Sequence, residues 1–151
     1  MPGPGYAFPP GPGVRRPPKE ECMDIKTHES IDRSLCGEPI SLEPGRSEVR
    51  LRCLESMAAD ASGLVHGGFI FGLADYAAML SVNHPNVVLG GAETRFLKPS
   101  RVGDTLVARA QDETPDERRH LVKVEVFSGE ETVFAGTFTC FVTREHVLAG
   151  K

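Results

Sequence analysis

Residues 65–82 read VHGGFIFGLADYAAMLSV, and this stretch decides the fold. It predicts one helix of about five turns that opens at the His-Gly-Gly and ends before Pro85. From Gly68 to Val82 the residues are apolar on nearly every side of the helix. We therefore expect this helix to be buried over most of its surface.

Two features of the helix point to chemistry. Gly67 and Gly68 fall in the first turn, where backbone N–H groups have no intrahelical acceptor and attract negatively charged oxygen. Asp75 follows two turns later. A buried carboxylate costs free energy unless it is paired, hydrogen-bonded or used, so Asp75 is a candidate catalytic acid. The alternative is a buried acid satisfied by neighbouring N–H groups.

The composition bounds the class of protein. The chain has 151 residues and a net charge of −4, which suits one domain with a real core and argues against coating nucleic acid or an anionic membrane. No apolar run is long enough to cross a bilayer. Four cysteines without a C-x-x-C pair indicate reduced thiols in a cytoplasmic protein. The histidines show no ligand spacing, so we predict no metal site.

The first 22 residues differ from the rest of the chain. Seven of the 12 prolines and four of the 16 glycines lie within the first 18 residues. Such a composition cannot bury enough surface to fold, so residues 1–22 are predicted to be a disordered tail. Residues 23–151 are predicted to form a single domain.

The segments around the helix predict an antiparallel sheet. Residues 47–54 alternate between apolar and charged side chains, and four strand-like segments follow the helix, at 87–96, 105–110, 120–127 and 132–143. Gly90-Gly91 marks a bend or a bulge in the first of these four. A short helix is predicted within residues 24–35. A sheet with one apolar face must cover it, so we expect an α+β fold in which a curved sheet wraps around the long helix.

The motif around the helix start resembles the hotdog-fold thioesterases, in particular the phenylacetate-pathway (PaaI-like) branch. His66-Gly67-Gly68 is followed by Asp75 nine residues after the histidine, as in that family. Residues 95–99 (RFLKP) and 102–106 (VGDTL) resemble its strand and turn after the helix. The resemblance implies a hotdog fold that assembles as a dimer or a dimer of dimers. It also implies hydrolysis of acyl-coenzyme A (acyl-CoA) thioesters without a cofactor, since CoA is part of the substrate.

The spacing along the helix independently favours a dimer. Gly67 and Asp75 are eight residues apart, which corresponds to about 12 Å along the helix axis. One thioester carbonyl cannot contact both groups of the same helix. Two antiparallel helices in a two-fold dimer would bring Gly67 of one chain towards Asp75 of the other.

We assign roles to five residues on this basis. The Gly67 amide stabilises the oxyanion, and Asp75 of the facing chain acts as nucleophile or as general base. His66 positions the helix entrance, and Gly68 leaves room for a ligand. Asp60 stands where many relatives have Asn or Gln. If Asp60 reaches the site, repulsion between two carboxylates would make one of them hold its proton.

The candidate substrate-binding residues lie after the helix. Cationic side chains near Pro99 are candidates for CoA phosphate contacts, and the alternative is an ordinary charged turn. A polar residue that the family places on the next strand falls at Leu89, so that role looks empty here. The full candidate set is Gly90, Arg95, Lys98, Pro99 and Arg101.

A second function class uses the same fold. Some hotdog domains bind acyl-CoA without hydrolysing it and regulate transcription, and residues 92–110 resemble those domains too. They carry a neutral residue at the acid position, so Asp75 favours the enzyme. A hotdog dehydratase would need its histidine and acid arranged differently.

Overall fold

The computed structural model describes residues 23–150, so the predicted tail at residues 1–22 lies outside the described residues. Within them the chain forms one sheet, one long helix and two short helical turns. The elements are α1 (Arg33–Cys36), β1 (Glu38–Glu43), β2 (Arg46–Arg52), a 3₁₀ turn (Glu55–Met57), α2 (Gly67–Val82), β3 (Val87–Phe96), β4 (Thr105–Asp112), β5 (Arg119–Ser128) and β6 (Glu131–Val142).

The six strands form a single antiparallel sheet in the order β1-β2-β4-β5-β6-β3. Tight connections join β1 to β2 and β5 to β6, and β3 returns to the far edge beside β6. Helix α2 packs across all six strands. The predicted α+β arrangement of a curved sheet around one long helix is therefore confirmed.

The core lies between α2 and the sheet. The apolar alternation of residues 120–127 and 132–143 predicts one inward face on each strand. Its members are almost completely buried (Val122, Val124, Val126, Phe134, Phe138 and Cys140), except Val142 at the end of β6, which is partly buried. On α2 the buried residues lie around most of the circumference, from Ile70 to Ser81. This matches the prediction of a helix without a broad polar face.

The opposite face of the sheet carries charged residues in cross-strand register. Glu48 of β2 lies opposite Arg109 of β4, which lies opposite Glu125 of β5. The Nε of Arg109 is 3.2 Å from Oε2 of Glu48, and the Glu48 side chain is 4% exposed. Opposite charges directly across a strand pair stabilise a sheet. The pairing with Arg109 compensates for the burial of the Glu48 carboxylate.

Two features before the helix differ from the expectation. Strand β1 was not predicted, because Gly37 and Pro39 read as a stop signal; an edge strand tolerates a proline that cannot donate to the ladder. The helix predicted within residues 24–35 is wrong in extent, since only Arg33–Cys36 is helical. The side chain of Asp32 begins this short helix by accepting a hydrogen bond from the Ser34 N–H at 2.9 Å.

Asn83 ends α2 and ties the first described residues to it. It adopts a left-handed conformation with φ of 50°, and its N–H donates to the Met79 carbonyl at 2.8 Å. Its side chain accepts from the Lys26 N–H and donates to the Asp24 carbonyl, both at 2.8 Å. Asn83 therefore links the C-terminal end of α2 to the backbone of residues 24–26.

Candidate active site

Two neighbouring segments hold the start of α2 in place. His66 is the N-cap residue, with an extended backbone, and its N–H donates to the Met57 carbonyl at 2.9 Å. The Val65 N–H donates to the Ser100 carbonyl at 2.9 Å. Because both bonds precede the first helical turn, the direction in which the helix begins is set by the surrounding loops.

The amides of Gly67 and Gly68 are unused within the described chain. The Phe69 N–H closes the first turn onto the His66 carbonyl at 3.1 Å. The geometry of a helix start leaves the two preceding N–H groups without an intrahelical acceptor, and no loop hydrogen bond among residues 23–150 uses them. These amides can donate to an oxygen of a ligand.

Both glycines are packed against aromatic rings. A Cβ at Gly67 would lie 3.2 Å from a ring carbon of Phe96, and a Cβ at Gly68 would lie 3.0 Å from the His66 ring. Any larger residue would push these rings away. The contact between Phe96 and Gly67 is not predicted, because nothing in the sequence links residue 96 to residue 67; the aromatic residue in the RFLKP motif is the available signal.

Asp75 lies at the middle of α2 with one oxygen buried and unsatisfied. Its Oδ1 has no hydrogen-bond partner among residues 23–150. Burial raises the pKa of Asp75 from 3.8 to about 6, since desolvation disfavours the charged form. The alternative of a buried acid satisfied by neighbouring N–H groups therefore does not describe this oxygen within one chain.

The surroundings of Asp75 are apolar or weakly polar. Phe71, one turn earlier on the helix, packs on Phe138 of β6 with ring centroids 5.4 Å apart. Burial raises the pKa of both the Cys140 and Cys36 thiols, with a smaller contribution from the charge of Asp75. The carboxylate thus lies near two neutral thiols and a pair of aromatic rings.

Asp60 is exposed and bound within its own turn. Its Oδ1 accepts hydrogen bonds from the Ser62 N–H at 2.9 Å, the Ser62 hydroxyl at 2.6 Å and the Leu64 N–H at 3.3 Å. The bonds from Ser62 lower the pKa of Asp60. Within one chain, burial is the only cause of the raised pKa of Asp75. The expectation that repulsion makes one of the two acids hold its proton, if Asp60 reaches the site, stays a prediction.

The predicted substrate-binding cations lie in two places. The segment that carries Lys98, Pro99 and Arg101 is tied to the helix entrance through the hydrogen bond to Val65. Lys98 also forms an exposed ion pair with Glu131 at 3.0 Å. Arg95 instead lines a groove of about 750 Å³ on the outer face of the sheet. The structure therefore does not bring Arg95 together with the other two cations.

Gly90 lies at the predicted bulge of β3, where the register with β6 shifts between Leu89 and Gly91. The ring of Phe141 from β6 covers the position that a Cβ would take. The bulge is thus confirmed, and the glycine allows a close cross-strand contact. Its assignment to substrate binding stays a prediction.

The candidate site lies in a part of the chain that matches a known protein family. The profile of the thioesterase superfamily matches residues 62–135, which include the helix start, Asp75 and the strands that follow. The chain belongs to the thioesterase superfamily.

Solved structures support the same assignment. The uncharacterized protein PH1136 from Pyrococcus horikoshii is 50% identical, with a TM-score of 0.82 over 83% of this chain and 97% of that chain. A mutant of the phenylacetic acid degradation protein PaaI from Thermus thermophilus is 29% identical, with a TM-score of 0.67 over 74% of this chain and 96% of that chain. The expected hotdog fold and PaaI-like resemblance are confirmed.

Curated relatives carry other names. A protein named methylthioribose-1-phosphate isomerase from Aquifex aeolicus is 53% identical over 116 residues, which are 77% of this chain but only 25% of that protein. The transcription factor FapR from Caldanaerobacter subterraneus is 26% identical over 136 residues, 89% of this chain and 67% of FapR. This chain thus spans only a quarter of the isomerase-named relative and about two thirds of FapR.

Clusters of metal-binding side chains and long apolar helices would indicate a metal centre and a membrane span, respectively. Among residues 23–150, no group of His, Cys, Asp and Glu side chains is arranged to hold a metal ion. In the same part of the chain, no helix has the length and apolar character needed to span a bilayer.

The raised pKa of Asp75 predicts a pH-dependent cost to folding. Because folding raises this pKa, the folded state binds the proton more tightly than the unfolded state does. Protonated Asp75 therefore contributes to the stability of the fold below about pH 4, and this contribution is lost as the pH rises through about 6. We expect Asp75→Asn to increase the free energy of unfolding by about 1–3 kcal/mol at pH 8 and to have little effect near pH 4. Urea unfolding at both pH values measures this difference.

Asp60→Asn is the matched control, since the pKa of Asp60 is lowered on folding and its ionised form is the stabilised one. We expect no gain in stability from that substitution at pH 8. If the two variants shift the unfolding midpoint alike at pH 8, burial of Asp75 is not the cause.

Proposed function

We propose that this protein hydrolyses an acyl-CoA thioester, with water, to a carboxylic acid and free CoA in the cytoplasm. Membership of the thioesterase superfamily supports the reaction class. The observation that carries the proposal is the buried, unpartnered Oδ1 of Asp75 on the same helix as the unused amides of Gly67 and Gly68. An acid and oxyanion donors are the two groups that thioester hydrolysis requires.

The functional unit in this proposal is a two-fold pair of chains. Gly67 and Asp75 belong to one helix, so their separation of about 12 Å along its axis argues against a site within one chain. Strand β3 is ten residues long, lies at a sheet edge and, among residues 23–150, pairs only with β6. A long unpaired edge is a ready template for a second chain. Two antiparallel copies of α2 would then form two sites, and a dimer of dimers doubles this unit.

The chemistry follows from the roles of these groups. The Gly67 N–H donates to the thioester carbonyl oxygen and stabilises the negative charge as the tetrahedral centre forms. Asp75 of the facing chain either attacks the carbonyl carbon or takes a proton from the attacking water. On the general-base route the C–S bond then breaks, and the CoA sulfur leaves as a thiol after taking up that proton. On the nucleophilic route CoA leaves first as a thiolate; water then cleaves the resulting anhydride to the carboxylic acid and the Asp75 carboxylate, and the proton that this water loses converts the thiolate to the thiol.

The constant part of the substrate has candidate partners near the helix entrance. Lys98 and Arg101 are exposed on the segment that abuts Val65, where they can meet the phosphates of CoA. Lys98 would exchange its ion pair with Glu131 for a phosphate, and exposed pairs of this kind contribute little stability. Arg95 lies on the outer face, so it contributes only through another chain.

A second candidate is a domain that binds acyl-CoA without hydrolysing it. The similarity to the transcription factor FapR over 89% of this chain favours it. The presence of Asp75 in an otherwise apolar helix favours the hydrolase, since a binding domain gains nothing from an unpaired buried acid. Turnover separates the two: a binding domain takes up acyl-CoA and releases it unchanged.

Replacement of Asp75 tests the role of the acid. With a panel of aromatic, short-chain and medium-chain acyl-CoAs, we expect Asp75→Asn to reduce kcat by at least about 10²-fold on the best substrate, because the nucleophile or base is removed. The wild-type rate should rise with pH around a midpoint near 6, where Asp75 loses its proton. Steady-state assays from pH 4.5 to 8.5 measure both effects.

Asp116→Asn serves as the control, since Asp116 is exposed on the loop between β4 and β5. Unchanged turnover in Asp75→Asn would contradict the role of Asp75 as nucleophile or general base. Tight binding without turnover of any acyl-CoA by the wild type would favour the second candidate.

The oxyanion donor has a sharper test, because Gly67 is the first helical residue. A proline is tolerated at that position and removes only the N–H. The extended backbone of His66, with φ of −64° and ψ of 131°, is also the conformation that a residue before proline prefers. We expect Gly67→Pro to lower kcat by about 10²–10³-fold relative to Gly67→Ala, which keeps the N–H.

Both substitutions add a Cβ that meets the Phe96 ring, so the pair isolates the amide. Circular dichroism and thermal unfolding check that both variants keep the helix. Equal kcat in the two variants would show that this N–H does not stabilise the oxyanion.

A further inference from the structure

The ring of Phe96 lies directly against the candidate oxyanion donor. Three of its ring carbons are 3.2, 3.6 and 3.7 Å from the position that a Cβ would take on Gly67. An oxygen that accepts from the Gly67 N–H lies about 2.9 Å from the nitrogen of the same residue. A ligand bound there therefore comes within reach of the ring.

The ring is held firmly but is only half covered. It packs edge-on against the fully buried Phe134, with ring centroids 5.1 Å apart and planes at 76°. The N–H groups of Leu97 and Lys98 both donate to the Val133 carbonyl, at 2.8 and 3.3 Å, and fix the end of β3. Phe96 is nevertheless 54% exposed in the single chain, and the proposed pairing of Gly67 with Asp75 of a second chain places this exposed face at the shared site. A fixed, half-exposed aromatic face is typical of a contact surface.

The charged residues that follow Phe96 indicate which part of an acyl-CoA would contact its ring. The acyl group and the thiol arm of CoA leave the carbonyl carbon in opposite directions. The cations Lys98 and Arg101 follow Phe96 on the chain, and the phosphates lie at the far end of the thiol arm. An arm that runs over Phe96 would therefore lead towards these cations, and the acyl group would run the other way.

We propose that the exposed face of Phe96 binds the thiol arm of CoA beside the thioester sulfur. This inference rests on the proposed thioesterase function and adds a substrate-binding residue to it. Phe96 then recognises the part that all acyl-CoAs share, and it excludes water from one side of the Gly67 amide. Its removal weakens all acyl-CoA substrates alike and leaves the acyl preference unchanged.

The experiment compares Phe96→Ala, Phe96→Leu and Phe96→Tyr with the wild type. We expect Phe96→Ala to raise KM roughly tenfold for each of three acyl-CoAs with different acyl groups, with kcat changed less than about threefold, because an apolar contact present in both ground and transition states is lost. Phe96→Leu gives a smaller rise, and Phe96→Tyr, which keeps the ring, stays near the wild type. Leu148→Ala, a truncation of another exposed apolar residue, is the control.

Calorimetry provides a readout that does not depend on turnover. Phe96→Ala should weaken the binding of free CoA by about the same factor as KM. It should leave unchanged the binding of adenosine 3′,5′-bisphosphate, which carries phosphates but no thiol arm. Light scattering on each variant checks that the assembly is the same, and Phe96→Leu replaces Phe96→Ala if the latter changes it.

The outcomes separate this inference from the proposed function. Wild-type turnover together with an unchanged KM in Phe96→Ala overturns the inference alone. A change in KM that depends on the acyl group also overturns it, since the ring would then face the acyl chain. No turnover of any thioester by the wild type overturns the proposed function, and the loss of CoA affinity in Phe96→Ala then decides whether the ring binds the arm.

Discussion

The desolvated carboxylate of Asp75 is the constraint on which the rest of the structure depends. An apolar helix that fills the groove of a six-stranded sheet is the simplest core for a chain of this size, and it has no need of an acid. Keeping one there, with an oxygen that no described residue hydrogen-bonds, raises its pKa and opposes folding. A group that opposes folding at neutral pH calls for a functional explanation, and the proposed site, in which Asp75 works with the helix-start amides of a second copy, offers one.

Much of the fold follows from local patterns in the sequence. Alternation identified the buried faces of β5 and β6, and the continuous apolar run identified α2, because each pattern reflects burial against one neighbour. Strand β1 was hidden by Pro39, which signals an end in a helix but is tolerated at a sheet edge. The bulge at Leu89 and Gly91 shifts the register of β3, so the face on which Arg95 lies could not be read by counting along the strand.

The candidate site was predictable where its parts are close in sequence and not where the fold joins distant parts. The helix start and Asp75 lie within one segment, so their spacing alone indicated two chains. The contact between Phe96 and Gly67 joins residues on β3 and α2, and only the packing of the sheet reveals it. The fold itself does not decide the activity, as the different names of the relatives illustrate. In the proposed mechanism, the acid and its distance from the amides do.

Subunit complementation tests the shared site most directly. Asp75→Asn and Gly67→Pro chains, each with its own affinity tag, are produced together and purified through both tags. A mixed pair combines Asp75 of one chain with Gly67 of the other in one intact site, so we expect it to show about half the wild-type turnover although each variant alone is inactive. Mixed pairs as inactive as the two parent variants would contradict a site that two chains share.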